Sequence, residues 1–132
     1  MNKVVARFVD GRIIKGMTAD FFPNKDRFHV ITTASPEGAE PVEIMTNELK
    51  ALFFVKDFEG NPDHVERNTF NPERPPAGRA IKVIFNDGEV LVGTTTGYKP
   101  DRPGFFMVPA DEDSNIERAY VVASSTQAVG FI

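Results

Sequence analysis

Val4-Val5-Ala6-Arg7-Phe8-Val9-Asp10-Gly11-Arg12-Ile13-Ile14-Lys15-Gly16 is stated twice in this chain, for Ile81-Lys82-Val83-Ile84-Phe85-Asn86-Asp87-Gly88-Glu89-Val90-Leu91-Val92-Gly93 follows it at an offset of 77 residues. In the first statement Val4, Ala6 and Phe8 alternate with Val5, Arg7 and Val9, the period of two that marks a strand with one face inward. Asp-Gly supplies two residues that tolerate positive φ, which predicts a two-residue hairpin. Each return strand contains a glycine, Gly16 or Gly93. A glycine inside a strand marks the bend or bulge by which a small barrel closes.

Working outward, Phe28 to Thr32, Val42 to Met45 and Ala51 to Val55 read as further short strands, separated by turn residues at Pro23-Asn24-Lys25-Asp26 and Ser35-Pro36-Glu37-Gly38. Thr46-Asn47-Glu48-Leu49 makes a short crossing before the last of them. The offset of 77 holds without a gap. It carries Thr18 to Thr95, Pro23 to Pro100, Phe28 to Phe105, Glu40 to Glu117, Ala51 to Ala128 and Phe54 to Phe131. Class is kept from Ile14 to Leu91, Phe21 to Tyr98, Ile44 to Val121 and Val55 to Ile132. The expectation is an all-β protein of two tandem five-stranded small barrels, residues 1–55 and 78–132, related by internal duplication and packed against each other.

Residues 56–77 between them are rich in Pro, Asn and Glu. Asn61-Pro62-Asp63 offers a capping side chain followed by proline, so at most one short helical turn is expected there, over Asp63 to Arg67. Pro72-Glu73-Arg74-Pro75-Pro76 reads as an extended, stiff connector.

At 132 residues, 41% apolar and 26% charged, the chain has an ordinary globular composition. It has twelve Phe and no Trp. The absence of cysteine removes disulfides and thiolate metal sites and fits a reducing compartment, and no apolar run is long enough to span a bilayer. A cytoplasmic protein is expected. The net charge of −4 is spread as 0 over residues 1–55, −2 over 56–77 and −2 over 78–132, so no basic field of the kind that drives non-specific phosphate binding exists.

Strand, Asp-Gly-Arg, apolar strand, bent glycine, then an aromatic and a loop before the third strand resembles the first signature of Sm-like (LSm, Hfq-type) domains over about 30 residues of each copy. The resemblance implies a small SH3-like barrel, edge-to-edge association and single-stranded RNA binding. The chain departs from that pattern at three places. Only three residues precede the first strand; the family's base-contacting Asp and Asn would fall near Phe22 and Arg27, which do not match them; Met45-Thr46-Asn47 and Val122-Ala123-Ser124 replace the Arg-Gly signature. The whole chain also resembles a group of bacterial tandem-copy proteins carrying the Gly104-Phe105-Phe106 and Pro109-Ala110-Asp111 stretch, a likeness that implies no activity.

Chemistry-bearing patterns are sparse. His29 lies between Phe28 and Val30 and so faces the opposite side of its strand, with Phe106 as its counterpart; it reads as an exposed or interface histidine. His64 falls in the linker and reads as solvated. Asp111-Glu112-Asp113-Ser114-Asn115 mimics a calcium loop, but Ile116 stands where the loop needs glycine and Val122 where it needs a bidentate Glu, so an acidic turn is the reading. No catalytic residue, metal site, cofactor or small-molecule substrate is expected. The doublets Phe21-Phe22, Phe53-Phe54 and Phe105-Phe106 can each send only one ring to a given face, so an apolar exterior needs covering. Phe53 and Phe106 are candidates for the seam between the barrels or between copies.

The leading expectation is a non-enzymatic binding or assembly module acting through a protein partner or self-association. The alternative is single-stranded RNA binding. Phe22, Asn24, Lys25, Arg27 and His29, with Tyr98, Lys99 and Arg102 in the second copy, are the candidate contacts for either.

Overall fold

The computed structural model describes residues 1–33, 40–74 and 77–132; the turn expected at 35–38, and Pro75 and Pro76 of the connector, lie outside the described residues. The elements are β1 (Asn2–Phe8), β2 (Ile13–Thr18), β3 (Arg27–Thr32), β4 (Val42–Met45), β5 (Leu49–Val55), β6 (Arg79–Phe85), β7 (Val90–Thr95), β8 (Gly104–Pro109), β9 (Ile116–Val122) and β10 (Thr126–Phe131). Short 3₁₀ turns at Thr46–Glu48 and Ala123–Ser125 precede β5 and β10. The first three strands of the two halves, and both 3₁₀ turns, stand 77 residues apart. No helix among the described residues is long and apolar enough to cross a membrane.

All ten strands form one antiparallel sheet in the order β10-β6-β7-β8-β9-β5-β1-β2-β3-β4. The two separate barrels expected from the sequence are therefore replaced by a continuous sheet that is not closed into a barrel. The junction explains this. β5 pairs with β1 on one side and with β9 on the other, Ala51 opposite Val121 and Phe53 opposite Ala119, so its second edge is taken by the other half. The free edges are β4 and β10.

All seven positions of β5 are buried. Because successive side chains point to opposite faces, Ala51, Phe53 and Val55 enter one core with Ile81, Val83, Phe85, Phe105 and Met107, while Leu52 and Phe54 enter another with Val4, Phe8, Phe28, Val30 and Ile44, which Leu49 joins across the register shift beside Phe8. β9 is shared in the same way: Ala119 and Val121 belong to the first core, Tyr120 and Val122 to the second. Each core thus holds side chains from both halves. The Phe doublets follow from that division, Phe53 and Phe105 serving one core while Phe54 and Phe106 serve the other.

Two local expectations change. The hairpin is not a two-residue turn: Phe8 N donates to Arg12 O and Gly11 N to Phe8 O, enclosing the three residues Val9 to Gly11. Only Gly11 takes positive φ (+95°), since the Asp10 carboxylate accepts the Arg12 N–H and holds Asp10 in an ordinary conformation. In the linker no helix forms over Asp63 to Arg67. Asn61 instead accepts the Asp63 N–H with its side chain and the His64 N–H with its carbonyl, an Asx turn that leads nowhere helical. The strand glycines answer to a close backbone approach, because a Cβ at Gly16 would lie 2.2 Å from Ile31 O and one at Gly93 2.0 Å from Val108 O.

Candidate binding groove

The loops between β2 and β3 (residues 19–26) and between β7 and β8 (residues 96–103) are built alike. Lys25 N donates to Phe22 O at 3.0 Å in one, and Arg102 N to Lys99 O at 3.2 Å in the other. Each loop is fastened to the 3₁₀ turn of its own half, by Thr46 N to Asp26 O and by Ala123 N to Pro103 O, both 2.9 Å. Each is also held from beneath by a threonine hydroxyl, Thr18 donating to His29 O and Thr95 to Phe106 O.

Because β5 and β9 join the halves edge to edge, these two loops and two turns face one concavity. It is a groove of about 1060 Å³ lined by Pro23–Asp26, Thr46 and Asn47 from one half and by Gly97, Asp101–Phe106, Tyr120 and Val122–Ser124 from the other. Its size is that of a ligand or peptide cleft. The wall is apolar and amide-rich. The Thr46 hydroxyl is buried with no hydrogen-bond partner among the described residues.

Four charged groups line it, Lys25, Asp26, Asp101 and Arg102. Asp26 is held by Arg27 at 3.1 Å, and the Arg27 guanidinium keeps its carboxyl below the usual range. Lys25 lies over the Phe22 ring, 5.1 Å from its centroid. Lys25, Arg102 and Asp101 have no oppositely charged partner among the described residues.

Of the residues singled out from the sequence, Asn24, Lys25 and Arg102 are brought together here. Phe22 is exposed beneath Lys25. Tyr98 packs edge-on against Phe105 and Phe131 and belongs to the first core. Lys99 is exposed on its loop outside the groove lining. Arg27 and His29 project from β3 on another face. His29 Nδ1 is 2.7 Å from Asp20 and its Nε2 is 3.6 Å from Glu43, which also meets Arg27. Burial pushes the Asp20 carboxyl up, but the His29 N–H and ring and the Thr18 hydroxyl outweigh it and leave it below its ordinary value. Phe53 lies opposite Ala119 across the junction, and the Phe106 ring lies 6.1 Å from both Phe21 and Phe54 of the other half.

Sequence reasoning missed two polar centres. Lys50, its side chain only 10% exposed, reaches Asp87 at 2.7 Å and Glu89 at 3.0 Å across the junction and lies over the Phe85 ring. The second is Asp111, whose side chain is wholly buried. It accepts from the Arg67 backbone N–H (2.8 Å), the Arg67 guanidinium (3.0 Å), the Asp113 N–H (2.9 Å) and the His64 ring (2.8 Å). Burial raises the pKa of this carboxyl, yet those donors outweigh it and hold it far below the carboxylate range. His64, read as solvated, is therefore clasped. With Glu66 it forms the one His/carboxylate cluster of ligand-like spacing among the described residues. Asp111 has donors on both oxygens and the Arg67 guanidinium already supplies the positive charge, so the cluster reads as a clasp for the linker rather than a metal centre.

The chain belongs to the Family of unknown function (DUF6982), whose match spans residues 1–132. No curated protein and no solved structure matches it.

Proposed function

We propose that this member of the DUF6982 family is a non-enzymatic binding module that acts through protein–protein contacts, and that the groove between its halves receives a segment of the partner. The observation that carries this reading is the groove's joint construction, since equivalent loops and turns of both halves converge on a single concavity. Both histidines are committed to carboxylates away from the groove, which favours binding over chemistry.

A different protein suits the site better than a second copy. The inner edges of the junction carry Phe53 on β5 and Tyr120 on β9, whereas the corresponding positions on the free edges are Gly130 on β10 and Glu43 on β4. Pro41, without a backbone donor, precedes β4. Such edges resist further pairing. RNA is the second reading, favoured by exposed Phe22 with Lys25 over it. It is the weaker one, because Tyr98 is packed inward and not free to stack a base.

The same reading takes each half as one Sm-like unit of a duplicated pair, supported by the shared strand orders β5-β1-β2-β3-β4 and β10-β6-β7-β8-β9. It sets the protein in the cytoplasm, which the lack of cysteine supports.

Gly97 gives the test. A Cβ there meets nothing within 4 Å and the residue lines the groove, so Gly97→Trp adds a large side chain at the groove wall with no close contact at its Cβ. In quantitative affinity capture, wild type should retain a partner that Gly97→Trp at the same melting temperature loses. Equal retention by both sinks the groove reading. Salt-sensitive binding of labelled single-stranded RNA that Gly97→Trp abolishes would replace it with the second.

A further inference from the structure

Over residues 19–27 and 96–103, the two loops flanking the groove with the first residue of β3, Lys25, Arg27, Lys99 and Arg102 stand against Asp20, Asp26 and Asp101, a net +1 on a chain whose net charge is −4. Lys25 and Arg102 occupy equivalent positions, 77 residues apart, and both line the groove. Neither has a carboxylate partner among the described residues, whereas Arg12, Arg27, Arg67 and Arg74 each have one. A cation kept at the same place in two otherwise diverged loops, and left unpaired in both, is a group held for something outside the chain. Between them the floor is apolar, with Pro103, Val122 and Phe106 on it.

We infer that the groove takes an acidic peptide segment, its carboxylates meeting Lys25 and Arg102 and an aliphatic side chain resting on the floor between them. The inference rests on the groove being the partner site. Asp101 also lines it and opposes an anion, while Asp26 is neutralised by Arg27, so one carboxylate stands against two free cations. A polynucleotide would meet the same cations, but the exposed ring open to it, Phe22, stands beside the groove and not in its lining. Phe105 and Tyr120 are buried, and Phe106 is enclosed by Phe21, Phe54, Tyr120 and Arg118. A protein segment needs only charge and apolar contact, which this wall offers.

Phage-displayed random 12-residue peptides are panned on the full-length protein, with counter-selection on Gly97→Trp. Survivors are then measured by fluorescence anisotropy at low and high salt against wild type and the Lys25→Glu/Arg102→Glu double variant. Both positions are exposed, so the double variant should fold, and its circular dichroism and melting temperature check that. The expected result is enrichment of net-negative sequences with aliphatic residues, weakened about tenfold or more by charge reversal and several-fold by salt. Survivors that are neutral or basic, or that bind the double variant equally well, overturn the acidic assignment while leaving the groove as a peptide site. No survivors after counter-selection overturns both. Displacement of a bound acidic peptide by single-stranded RNA at equal concentration assigns the cations to phosphate instead.

Discussion

Replacing Asp111 with alanine tests how the linker is held. Four donors converge on this carboxylate, but they would not all be stranded by its loss. The Arg67 side chain is 58% exposed and keeps Asp113 at 2.7 Å, and the half-buried His64 ring can turn to water. The two backbone N–H groups, of Arg67 and Asp113, cannot follow, and they lose a charged acceptor. At about 1.5–3 kcal/mol for a hydrogen bond to a charged group, and allowing for water reaching part of the cavity, Asp111→Ala should cost about 2–4 kcal/mol. Because the folded carboxyl titrates below its unfolded value of about 3.9, its contribution is present above that pH and is lost as pH falls through the folded pKa. The difference between wild type and variant should therefore be flat from about pH 7 to 5 and shrink below about pH 4. Urea unfolding followed by circular dichroism at each pH measures it, and hydrogen exchange should show residues 56–74 opening in the variant. A difference under about 0.5 kcal/mol at pH 7, or one that persists undiminished in strong acid, refutes the clasp.

Phe53→Ala should cost about 3–5 kcal/mol while leaving one urea transition, because each core draws on both halves; two separated transitions would count against a shared core. Lys50→Met should lie within about 1 kcal/mol of wild type, since Asp87 and Glu89 are more than half exposed and water takes up their charge once the ammonium is gone, whereas Asp87→Ala with Glu89→Ala should destabilise by more by leaving the largely buried ammonium uncompensated. Gly11→Ala should cost only about 1–2 kcal/mol through its positive φ, while Gly16→Ala, aimed at Ile31 O, should cost more; comparing their melting temperatures decides whether the two glycines serve different purposes.

The repeated hairpin was legible because its information is local: alternating side chains, an Asp-Gly turn and a bent glycine act within about a dozen residues. The pairing of β5 with β9 was not, since it joins Phe53 to Ala119 and depends on which edge finds which. Even so, the Phe doublets announced that a second face needed cover. The groove was half legible. Asn24, Lys25 and Arg102 were found from loop composition, but Thr46, Gly97 and Ser124 come to it only through the geometry of the junction. Asp111 was hidden by its company: among Glu112 and Asp113 it reads as one more solvated acid, and nothing local says that Arg67 arrives from 44 residues away.

The differences between the two halves are what give the sheet two ends and a middle. Tyr120, buried, and Phe106, partly buried, stand at the junction where the first half has Glu43 and His29, which face solvent beside Asp20. Phe53 and Lys50 on the inner strand correspond to Gly130 and Gln127 on the outer one. An array of identical units would present the same greasy edge at each terminus and go on adding copies, as an uncapped repeat does. Here the outer edges carry Glu43 and Gly130 at those positions, yet Lys25 and Arg102 are both positively charged. Selection for stability alone explains the first change, because an exposed Tyr120 or Phe53 equivalent is a liability on a free edge. It does not explain the second, since an unpaired surface cation adds almost nothing to folding. Charge reversal at Lys25 and Arg102 should accordingly leave the melting temperature within about 2 °C of wild type while changing what the groove retains. A large drop in melting temperature would return those residues to a structural role and remove the reason for reading the groove as a site.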